Sequence, residues 1–581
     1  MSAPETGAGF EPFGSSRTIP RWAWLGLLAI LVFDVWLRAH TFGPVMRQKL
    51  GLSLWQVSGA EGEPLDCDEA VYAYIGHRLD CGDVMYRDLT ENKPPLGYWI
   101  YAIAVAIGGY NELAIRAMPI PIVLVTIPLV WWIGLRLAGP AAGCLAGALY
   151  AVVSTDPFVF GNGANLEHAM NLFAVASLAA MVRGCDAKRA SWWFVAAGVC
   201  TAGASLVKQV AALHLIVYGI ALLLRVREDG SGGSARLREL TALVAGFLLT
   251  WLIALGIVIA QGAGPAAYED IVRFGSAMIT SAASDPHAPP LLVRWITGNA
   301  DPHGVLPWPF GATDYLVWWG TGTWPLWLAA VPALGWLGLG PSNAGRRLVA
   351  AWTLSAWVQV ALPRQFWQHY YLLPLPGIAL ALAITAADLA AMARRRTPRI
   401  RAGLAAIGLV ALIAAMVGTV IIQVREYLLV TPEQLTIRDK GGRQWVTLRA
   451  LGREIGRRAR AWQSPHLYVW GWQSPLHIYS GLDSVSPLCF ANDVLKAHAG
   501  GDDPLFRPRI DGLMHDLESR QPELIFTGDP PFPALRSFLV ARYRPAPIRV
   551  NGQRLILTPD GRGLWVRRDV AAAFLADPPA P

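Results

Sequence analysis

Long apolar runs alternate with shorter polar intervals along most of this chain. A run of about twenty apolar residues is long enough, as an α-helix, to cross the ~30 Å hydrocarbon core of a membrane. The pattern predicts spans at residues 22–42, 117–137, 139–156, 167–183, 192–207, 210–225, 240–261, 323–340, 348–362, 371–391 and 402–424. The hydrophobic pattern therefore predicts a polytopic α-helical membrane protein with about eleven transmembrane helices.

One further apolar stretch, at residues 95–109, is shorter and is bounded by Pro-Pro and Gly-Gly pairs. Basic residues mark cytoplasmic loops, and they gather at residues 183–189, 225–238, 345–347 and 394–401. If all four loops are cytoplasmic, two crossings must separate neighbouring loops, which holds only if 95–109 does not cross. We therefore predict that 95–109 is a helix on the outer membrane surface and that the N-terminus is cytoplasmic.

This topology divides the chain into three regions. Residues 1–20 are predicted to be a flexible cytoplasmic tail, 21–424 a transmembrane domain and 425–581 an extracytoplasmic domain. Two polar intervals, 43–116 and 262–322, are predicted to be outer loops.

The C-terminal region has the pattern of a small soluble α/β domain. Residues 466–472 and 523–527 are predicted strands. An Asp-Gly turn between 554–558 and 563–567 predicts a hairpin. No motif in this region indicates chemistry, so we expect a structural or acceptor-docking role.

Composition supports a membrane protein and excludes a disulfide scaffold. The chain is 54% hydrophobic and only 15% charged. Its net charge of +8 fits basic cytoplasmic loops, and no nucleic-acid partner is expected. Among the six cysteines, Cys67 and Cys81 share a loop. A helix predicted at 69–79 would hold these two sulfurs about 20 Å apart, beyond disulfide reach, so we expect them to be free.

The densest group of candidate catalytic side chains lies in the first outer loop. Asp66, Asp68 and Glu69 stand at the start of the helix predicted at 69–79, and Lys93 precedes two prolines. One interpretation is structural, with Asp68 as the N-cap of the helix and Glu69 in its first turn. The other is functional, because a capping carboxylate at a membrane surface can also act as a general base. The pattern leaves both open.

Two further polar patches lie at predicted outer ends of spans. Glu167 begins a span, where an acid can simply stabilise the helix dipole, but an ionisable group in a membrane domain is also a candidate functional residue. Lys208 and Gln209 interrupt the apolar segment SLVKQVAAL. A snorkelling lysine is the structural alternative there, although Gln209 adds hydrogen-bonding capacity without a packing reason.

A basic and aromatic cluster lies at another predicted outer edge, in the segment PRQFWQHYYLLPLP. Its candidate residues are Arg364, His369, Tyr370 and Tyr371. An interfacial aromatic belt is the structural alternative. Acids and cations together on the outer face suit group transfer from an anionic lipid carrier, because Lys and Arg stabilise a leaving phosphate while a carboxylate accepts the proton of an incoming hydroxyl.

The first outer loop resembles that of the GT-C glycosyltransferases, and the nearest groups are the protein O-mannosyltransferases and the aminoarabinose-to-lipid A transferases. The motifs that carry the resemblance are Asp68-Glu69-Ala-Val-Tyr-Ala-Tyr-Ile, Tyr86-Arg-Asp88 and Asn92-Lys93-Pro94-Pro95. Later patches are similar to those of bacterial members, namely Asn165-Leu-Glu167, Lys208-Gln209 and His369-Tyr370-Tyr371-Leu372. The resemblance covers residues 20–425, and Asn92 is a departure, since better-known members have Glu or His there.

The resemblance implies a GT-C fold and a role for each candidate residue. The catalytic acid of the first outer loop carries over to Asp68 with Glu69 as its neighbour, and that of the second outer loop to Glu167. The lysine that contacts the lipid phosphate carries over to Lys93. Further donor-phosphate ligands are expected among Lys208, Gln209, Arg364, His369, Tyr370 and Tyr371. No metal or other cofactor is expected, although related oligosaccharyltransferases need a divalent cation.

We therefore expect an inverting glycosyltransferase of a bacterial-type inner membrane. It would transfer a sugar from a polyprenyl-phosphate donor to a hydroxyl of a glycan, lipid or protein, and the pattern leaves the sugar, the acceptor and the oligomeric state open. A lipid-linked glycan flippase or transporter is one alternative, but the sequence has no internal repeat and its polar candidates gather on one face. A non-catalytic membrane scaffold is the other, and it would have no need of Asp68 together with Lys93.

Overall fold

The computed structural model describes residues 18–42, 61–186, 191–224, 233–283, 291–297, 323–340, 343–394, 399–550, 552–555 and 557–576. Parts of the predicted tail and of the predicted outer loops lie outside these residues. So do several residues of the basic loops, namely Lys188, Arg189, Arg225, Arg227, Arg395 and Arg396.

A helix occupies each of the eleven predicted spans. The helices are Arg21–Ala39, Pro119–Ala138, Pro140–Val153, Leu166–Asp186, Ser191–Val207, Leu213–Leu224, Gly233–Ala260, Trp324–Leu339, Ala344–Ala361, Leu375–Arg394 and Arg399–Gln423. Among the described residues, six helical segments have both the length and the apolar composition that crossing a membrane requires. The predicted polytopic helical membrane protein is confirmed.

The helix predicted at 95–109 is present as Leu96–Gly108. Its thirteen residues span about 20 Å at 1.5 Å per residue, which is short for a ~30 Å hydrocarbon core. Tyr98 and Tyr101 are buried, whereas Ile103 and Ile107 are 59% and 84% exposed. One buried face and one exposed apolar face suit a helix that lies on a membrane surface. The orientation of the chain across the membrane stays a prediction.

The chain folds as two compact units. The first unit comprises residues 1–60, 119–254 and 286–431, and the second comprises 61–118, 255–285 and 432–581. The predicted domain limits at residues 20 and 424 stay predictions, because compactness groups segments by packing and not by exposure to lipid or water.

The second unit contains helical segments from three parts of the chain. They are Cys67–Asp80, Leu96–Gly108, Glu112–Ala117, Gly264–Ala267, the π-helix Tyr268–Phe274, Gly275–Ala283, Pro432–Asp439, Gln444–Ala459, Pro475–Ser480, Asp493–His498, Arg507–Arg520, Pro533–Arg542 and Ala571–Leu575.

The strands of the second unit form two small sheets. Four strands pair in the order β1 (Leu467–Trp470), β2 (Leu524–Thr527), β6 (Gly563–Arg567), β3 (Tyr543–Pro545). The β1–β2 pair is parallel and the pairs that involve β6 are antiparallel. Buried side chains such as Tyr468, Trp470, Ile525 and Trp565 form a core with the neighbouring helices. The predicted α/β character and the strands within 466–472 and 523–527 are confirmed.

The hairpin predicted between 554–558 and 563–567 is wrong. Its turn exists, since Gly561 has φ +93° and donates its N–H to the carbonyl of Thr558 at 2.9 Å. However, both edges of β6 are occupied by β2 and β3, and β5 (Gln553–Leu555) pairs with β4 (Ile548–Val550). A local turn signal therefore marked the chain reversal but not the strand pairing.

Candidate active site

The helix Cys67–Asp80 begins at Asp66 and not at Asp68. Asp66 Oδ1 accepts the N–H of Glu69 at 3.0 Å, and Glu69 Oε2 accepts the N–H of Asp66 at 3.0 Å. These reciprocal bonds form a capping box, which satisfies two backbone donors that a helix start leaves unpaired. The prediction that Asp68 is the N-cap is wrong, because Asp66 stands at the capping-box spacing from Glu69.

Asp68 consequently lies inside the first turn of this helix. Its neighbours Cys67 and Glu69 are buried, whereas Asp68 is half-buried. The positive end of the helix dipole favours a negative charge at this position. Asp68 is thus a carboxylate at a helix N-terminus whose capping requirement is already met by another residue. Cys67 and Cys81 are free, as predicted.

A buried charge cluster surrounds the start of the helix; it consists of Glu63, Asp66, Glu69, Arg116 and Lys440. Arg116 Nη1 lies 2.9 Å from Glu69 Oε1 and 3.6 Å from Glu63 Oε2. Lys440 Nζ lies 3.1 Å from Glu63 Oε1, 3.6 Å from Asp66 Oδ2 and 3.7 Å from Glu69 Oε2. Three acids and two cations are therefore removed from water together, and each charge depends on the others.

Burial sets the protonation of this cluster. Burial, followed by the nearby charge of Glu69, raises the pKa of Asp66 to about 7. Burial and Arg116 favour the neutral amine of Lys440, but the three carboxylates outweigh them and raise its pKa. The two cations therefore stay charged, while Asp66 can exchange a proton near neutral pH.

Lys93 lies against the same helix. Its Nζ is 5.2 Å from the centroid of the Tyr72 ring, a cation–π distance. Asp68 and Tyr72 are four residues apart in one helix and therefore share a face. The ammonium of Lys93 thus lies at the helix face that carries Asp68. The structure thus places the predicted phosphate-binding lysine against the helix face of the predicted catalytic acid.

An acid that sequence reasoning missed holds Lys93 in place. Glu91 Oε1 lies 3.1 Å from Lys93 Nζ, and the Glu91 side chain is only 2% exposed. Tyr86, which has a left-handed φ of +69°, donates its hydroxyl to the Lys93 carbonyl at 2.8 Å. The acid that the resemblance places directly before the lysine is thus one residue earlier here, and Asn92 takes its position.

Glu91 is in turn fixed by the π-helix Tyr268–Phe274. Its N–H donates to Asp270 Oδ2 at 3.1 Å, and Arg509 Nη2 lies 2.6 Å from Asp270 Oδ1. Burial raises the pKa of Asp270 to about 6, although Arg509 opposes the shift. A π-helical segment is a frequent feature of functional sites. Here it places a buried carboxylate behind the Lys93 loop.

A second cluster of predicted residues lies in the first unit. Glu167 occupies the first turn of the helix Leu166–Asp186, as predicted, and is 1% exposed. Its carboxylate accepts a hydrogen bond from Lys208, and His369 Nε2 lies 3.9 Å away. Lys208 Nζ also lies 4.5 Å from the Tyr370 ring centroid. Lys208 is buried, so the snorkelling alternative does not hold.

The loop before Glu167 is anchored by the first helix of the chain. Arg38 pairs with Asp34 at 3.3 Å and donates to Ser154 Oγ at 2.6 Å and to the Gly161 carbonyl at 3.4 Å. The carbonyl of Gly161 also lies 2.9 Å from His168 Nε2. These buried bonds fix the start of the Glu167 helix, and sequence reasoning did not single out Arg38 or Asp34.

The remaining predicted residues have different surroundings. Gln209 is exposed at the start of the turn Gln209–Ala212. Arg364 is exposed, has φ +58°, and offers its carbonyl to the guanidinium of Arg294 at 3.0 Å. Tyr371 donates its hydroxyl to backbone carbonyls, at 2.9 Å to that of Arg294. The Tyr371 hydroxyl is therefore bonded to the backbone, whereas Gln209 and Arg364 are exposed.

The described acid clusters do not have the geometry of a metal site. Among the residues that the structure describes, no group of three or more His, Cys, Asp or Glu side chains is arranged to hold a metal ion. The carboxylates of Glu63, Asp66 and Glu69 pair with Arg116 and Lys440. The expectation that no metal is needed stays a prediction.

Part of the sequence matches a known family. Residues 92–251 match the family model of dolichyl-phosphate-mannose-protein mannosyltransferase. This range contains Lys93, Glu167 and Lys208, whereas Asp68 lies before it. No curated protein sequence matches the chain.

Solved structures resemble the chain over nearly its whole length. ArnT from Cupriavidus metallidurans bound to undecaprenyl phosphate has a TM-score of 0.51 and 16% identity, covering 92% of this chain and 97% of that one. The apo form of ArnT has a TM-score of 0.51 and 15% identity, covering 95% and 98%. An Archaeoglobus fulgidus oligosaccharyltransferase tethered to an acceptor peptide has a TM-score of 0.48 and 10% identity, covering 87% and 68%.

The likeness to ArnT covers both chains almost completely, so it reports on the whole architecture and not on a shared fragment. The family match covers the segment that begins at the Asn92-Lys93 motif. The chain has the GT-C glycosyltransferase fold, and its predicted resemblance to the protein mannosyltransferases and the aminoarabinose transferases is confirmed.

Proposed function

We propose that the protein is a membrane glycosyltransferase that uses a polyprenyl-phosphate-linked sugar and transfers the sugar to an acceptor hydroxyl with inversion. The observation that carries this proposal is the position of Lys93 over Tyr72, on the helix face that carries Asp68. A base and a phosphate-binding cation on one face are the two groups that such a transfer needs. The fold supports the proposal independently.

In the proposed reaction, Asp68 accepts the proton of the acceptor hydroxyl. The acceptor oxygen forms a bond to the anomeric carbon while the bond from that carbon to the donor phosphate oxygen breaks. The electron pair of the broken bond leaves with the polyprenyl phosphate, and Lys93 stabilises its charge. A single displacement inverts the anomeric configuration. Glu69 is buried in the capping box, so we assign it the positioning of the first turn.

The donor class is supported by the ArnT structure that was obtained with undecaprenyl phosphate. We assign the cluster of Glu167, Lys208, His369 and Tyr370 to donor binding. Lys208 supplies a charge, and Glu167 holds that charge in a buried position. Arg364 and Gln209 have exposed side chains that suit contact with a lipid phosphate, whereas the packing of Tyr371 indicates an indirect role. We place the reaction on the outer face of a bacterial inner membrane.

The proposal is tested with purified protein in liposomes. The probe is the polyprenyl-phosphate sugar pool extracted from a deletion strain, and mass spectrometry follows release of polyprenyl phosphate in the presence of that strain's envelope fraction. We expect Asp68→Asn to lower this release by about 10²–10⁴-fold, since it removes a general base. Asp80→Asn, an exposed carboxylate at the other end of the same helix, is the matched control and should remain active.

Wild-type turnover in Asp68→Asn, with the fold intact, would sink the assignment of the base. A protein that moves the lipid-linked sugar across the bilayer without cleaving it would instead support a flippase. A mass-spectrometric comparison of surface glycans between wild type and deletion strain names the acceptor, because the missing modification and the accumulated donor come from the same reaction.

A further inference from the structure

The C-terminal region contributes a buried cation to the helix that carries Asp68. Lys440 lies within 4 Å of three acids, Glu63, Asp66 and Glu69, and its side chain is 1% exposed. We propose that Lys440 is a positioning residue for Asp68, and this inference rests on the proposed function. The C-terminal region then takes part in the reaction and is more than a docking module.

The charge balance of the cluster shows why a cation is needed at this position. Glu63, Asp66 and Glu69 are buried together, and Arg116 alone offsets one of their three charges. Buried ions that lack a partner either take up protons or move toward water. Both responses would disturb the capping box, in which Asp66 and Glu69 each accept a backbone N–H.

The first turn would then lose the bonds that define where the helix begins. Asp68 lies in this turn, between the two capping residues, so its carboxylate moves with them. Lys440 therefore acts on Asp68 through Asp66 and Glu69 and need not touch the substrate.

An electrostatic effect reinforces the geometric one. The titratable groups near Asp66 include Glu69, Lys440, Asp68 and Arg116, together with Cys67 and Tyr101. Among these, the charges of Glu69 and Asp68 raise the pKa of Asp66, and that of Lys440 lowers it. A cation in the cluster keeps the neighbouring carboxylates ionised, which is the state that a general base requires.

The pH dependence of transfer separates positioning from simple stabilisation. In Lys440→Met, the cluster loses a positive charge, the pKa of the base rises, and the acid limb of the pH–rate profile should move up by about half a pH unit. Lys440→Arg keeps the charge and should keep the limb. Glu63→Gln/Lys440→Met removes one charge of each sign and leaves the capping residues Asp66 and Glu69 in place, so the limb should return toward its wild-type position.

Arg443→Met is the matched control, because Arg443 is 74% exposed and lies three residues from Lys440. Its acid limb should not move. If Lys440→Met does not fold, the double variant still decides: recovery of folding and of a wild-type limb supports the proposal, and a failure to recover overturns it. An unchanged limb in a folded Lys440→Met also overturns it. The proposed function fails by a different result, namely turnover in Asp68→Asn.

Discussion

Removing the ammonium of Lys93 should abolish phosphate stabilisation, but Lys93 also balances a buried acid. Its Nζ lies 3.1 Å from Glu91 Oε1, and the Glu91 side chain is 2% exposed. At an effective dielectric constant of about 20, a pair at this distance attracts by about 5 kcal/mol. Breaking one partner of a buried pair typically costs about 3–5 kcal/mol. Lys93→Met alone therefore mixes a loss of stability with a loss of catalysis.

The double variant Glu91→Gln/Lys93→Met separates the two effects. It removes both charges and retains the side-chain volumes, so we expect most of the stability to return. The contribution to catalysis should not return, because no cation remains to meet the leaving phosphate. We expect kcat/KM for release of polyprenyl phosphate to fall by about 10²–10³-fold in both variants, the effect of losing one charge-stabilising donor. The melting temperature in detergent should fall only in the single variant Lys93→Met.

Arg87→Met is the matched control in the same loop, since Arg87 is 52% exposed and pairs with its neighbour Asp88. It should leave both unfolding and kcat/KM close to those of the wild type. A double variant Glu91→Gln/Lys93→Met with wild-type kcat/KM would refute the role of Lys93. A double variant as unstable as Lys93→Met would refute the pairing with Glu91.

Two further predictions concern buried acids in each unit. Burial raises the pKa of Asp270 from 3.8 to about 6, so its ionisation destabilises the folded state as the pH rises between those values. The unfolding free energy of Asp270→Asn should therefore increase by about 3 kcal/mol relative to that of the wild type between pH 4 and pH 7. A difference in unfolding free energy that does not change with pH would contradict this. Lys208→Met should lower the melting temperature, because it leaves the buried carboxylate of Glu167 without its lysine. The double variant Glu167→Gln/Lys208→Met should recover most of that melting temperature. A double variant that melts as low as Lys208→Met would contradict the pairing.

The spans could be predicted from sequence because a membrane imposes a length and a composition on each helix. The runs at 22–42 and 402–424, for example, became Arg21–Ala39 and Arg399–Gln423. The pairing of strands in a hairpin could not be predicted in the same way. The Asp-Gly turn at 560–561 formed, but which strand pairs with β6 is decided by the rest of the sheet.

The candidate site was predictable only where chemistry and local spacing coincide. Asp68 and Lys93 stood out as charges in an apolar sequence. The spacing from Asp66 to Glu69 already fitted a capping box, although the N-cap was predicted two residues too late, at Asp68. Lys440 and Arg509 could not be found this way. Each is one basic residue among many in the C-terminal region, and only the folded chain shows that it contacts an acid of a distant segment.

The pairing of Lys93 with Glu91 also bears on the rate of the proposed reaction and on the release of its product. A donor in which phosphate links sugar and lipid carries one negative charge, whereas the released phosphate monoester carries about −1.5 to −2 at pH 7. In the proposed reaction, the attraction of Lys93 for phosphate would therefore grow as the bond to the sugar breaks, and an interaction that is stronger in the transition state than in the bound donor raises the rate. Glu91 holds the same ammonium at 3.1 Å and competes with phosphate throughout. Such competition weakens the binding of the singly charged donor by a larger fraction than that of the more highly charged product. When the product leaves, the ammonium of Lys93 can pair with Glu91 again. A buried acid beside the lysine that we propose to bind phosphate is thus compatible with turnover, because a lysine without such an acid would retain the more highly charged product.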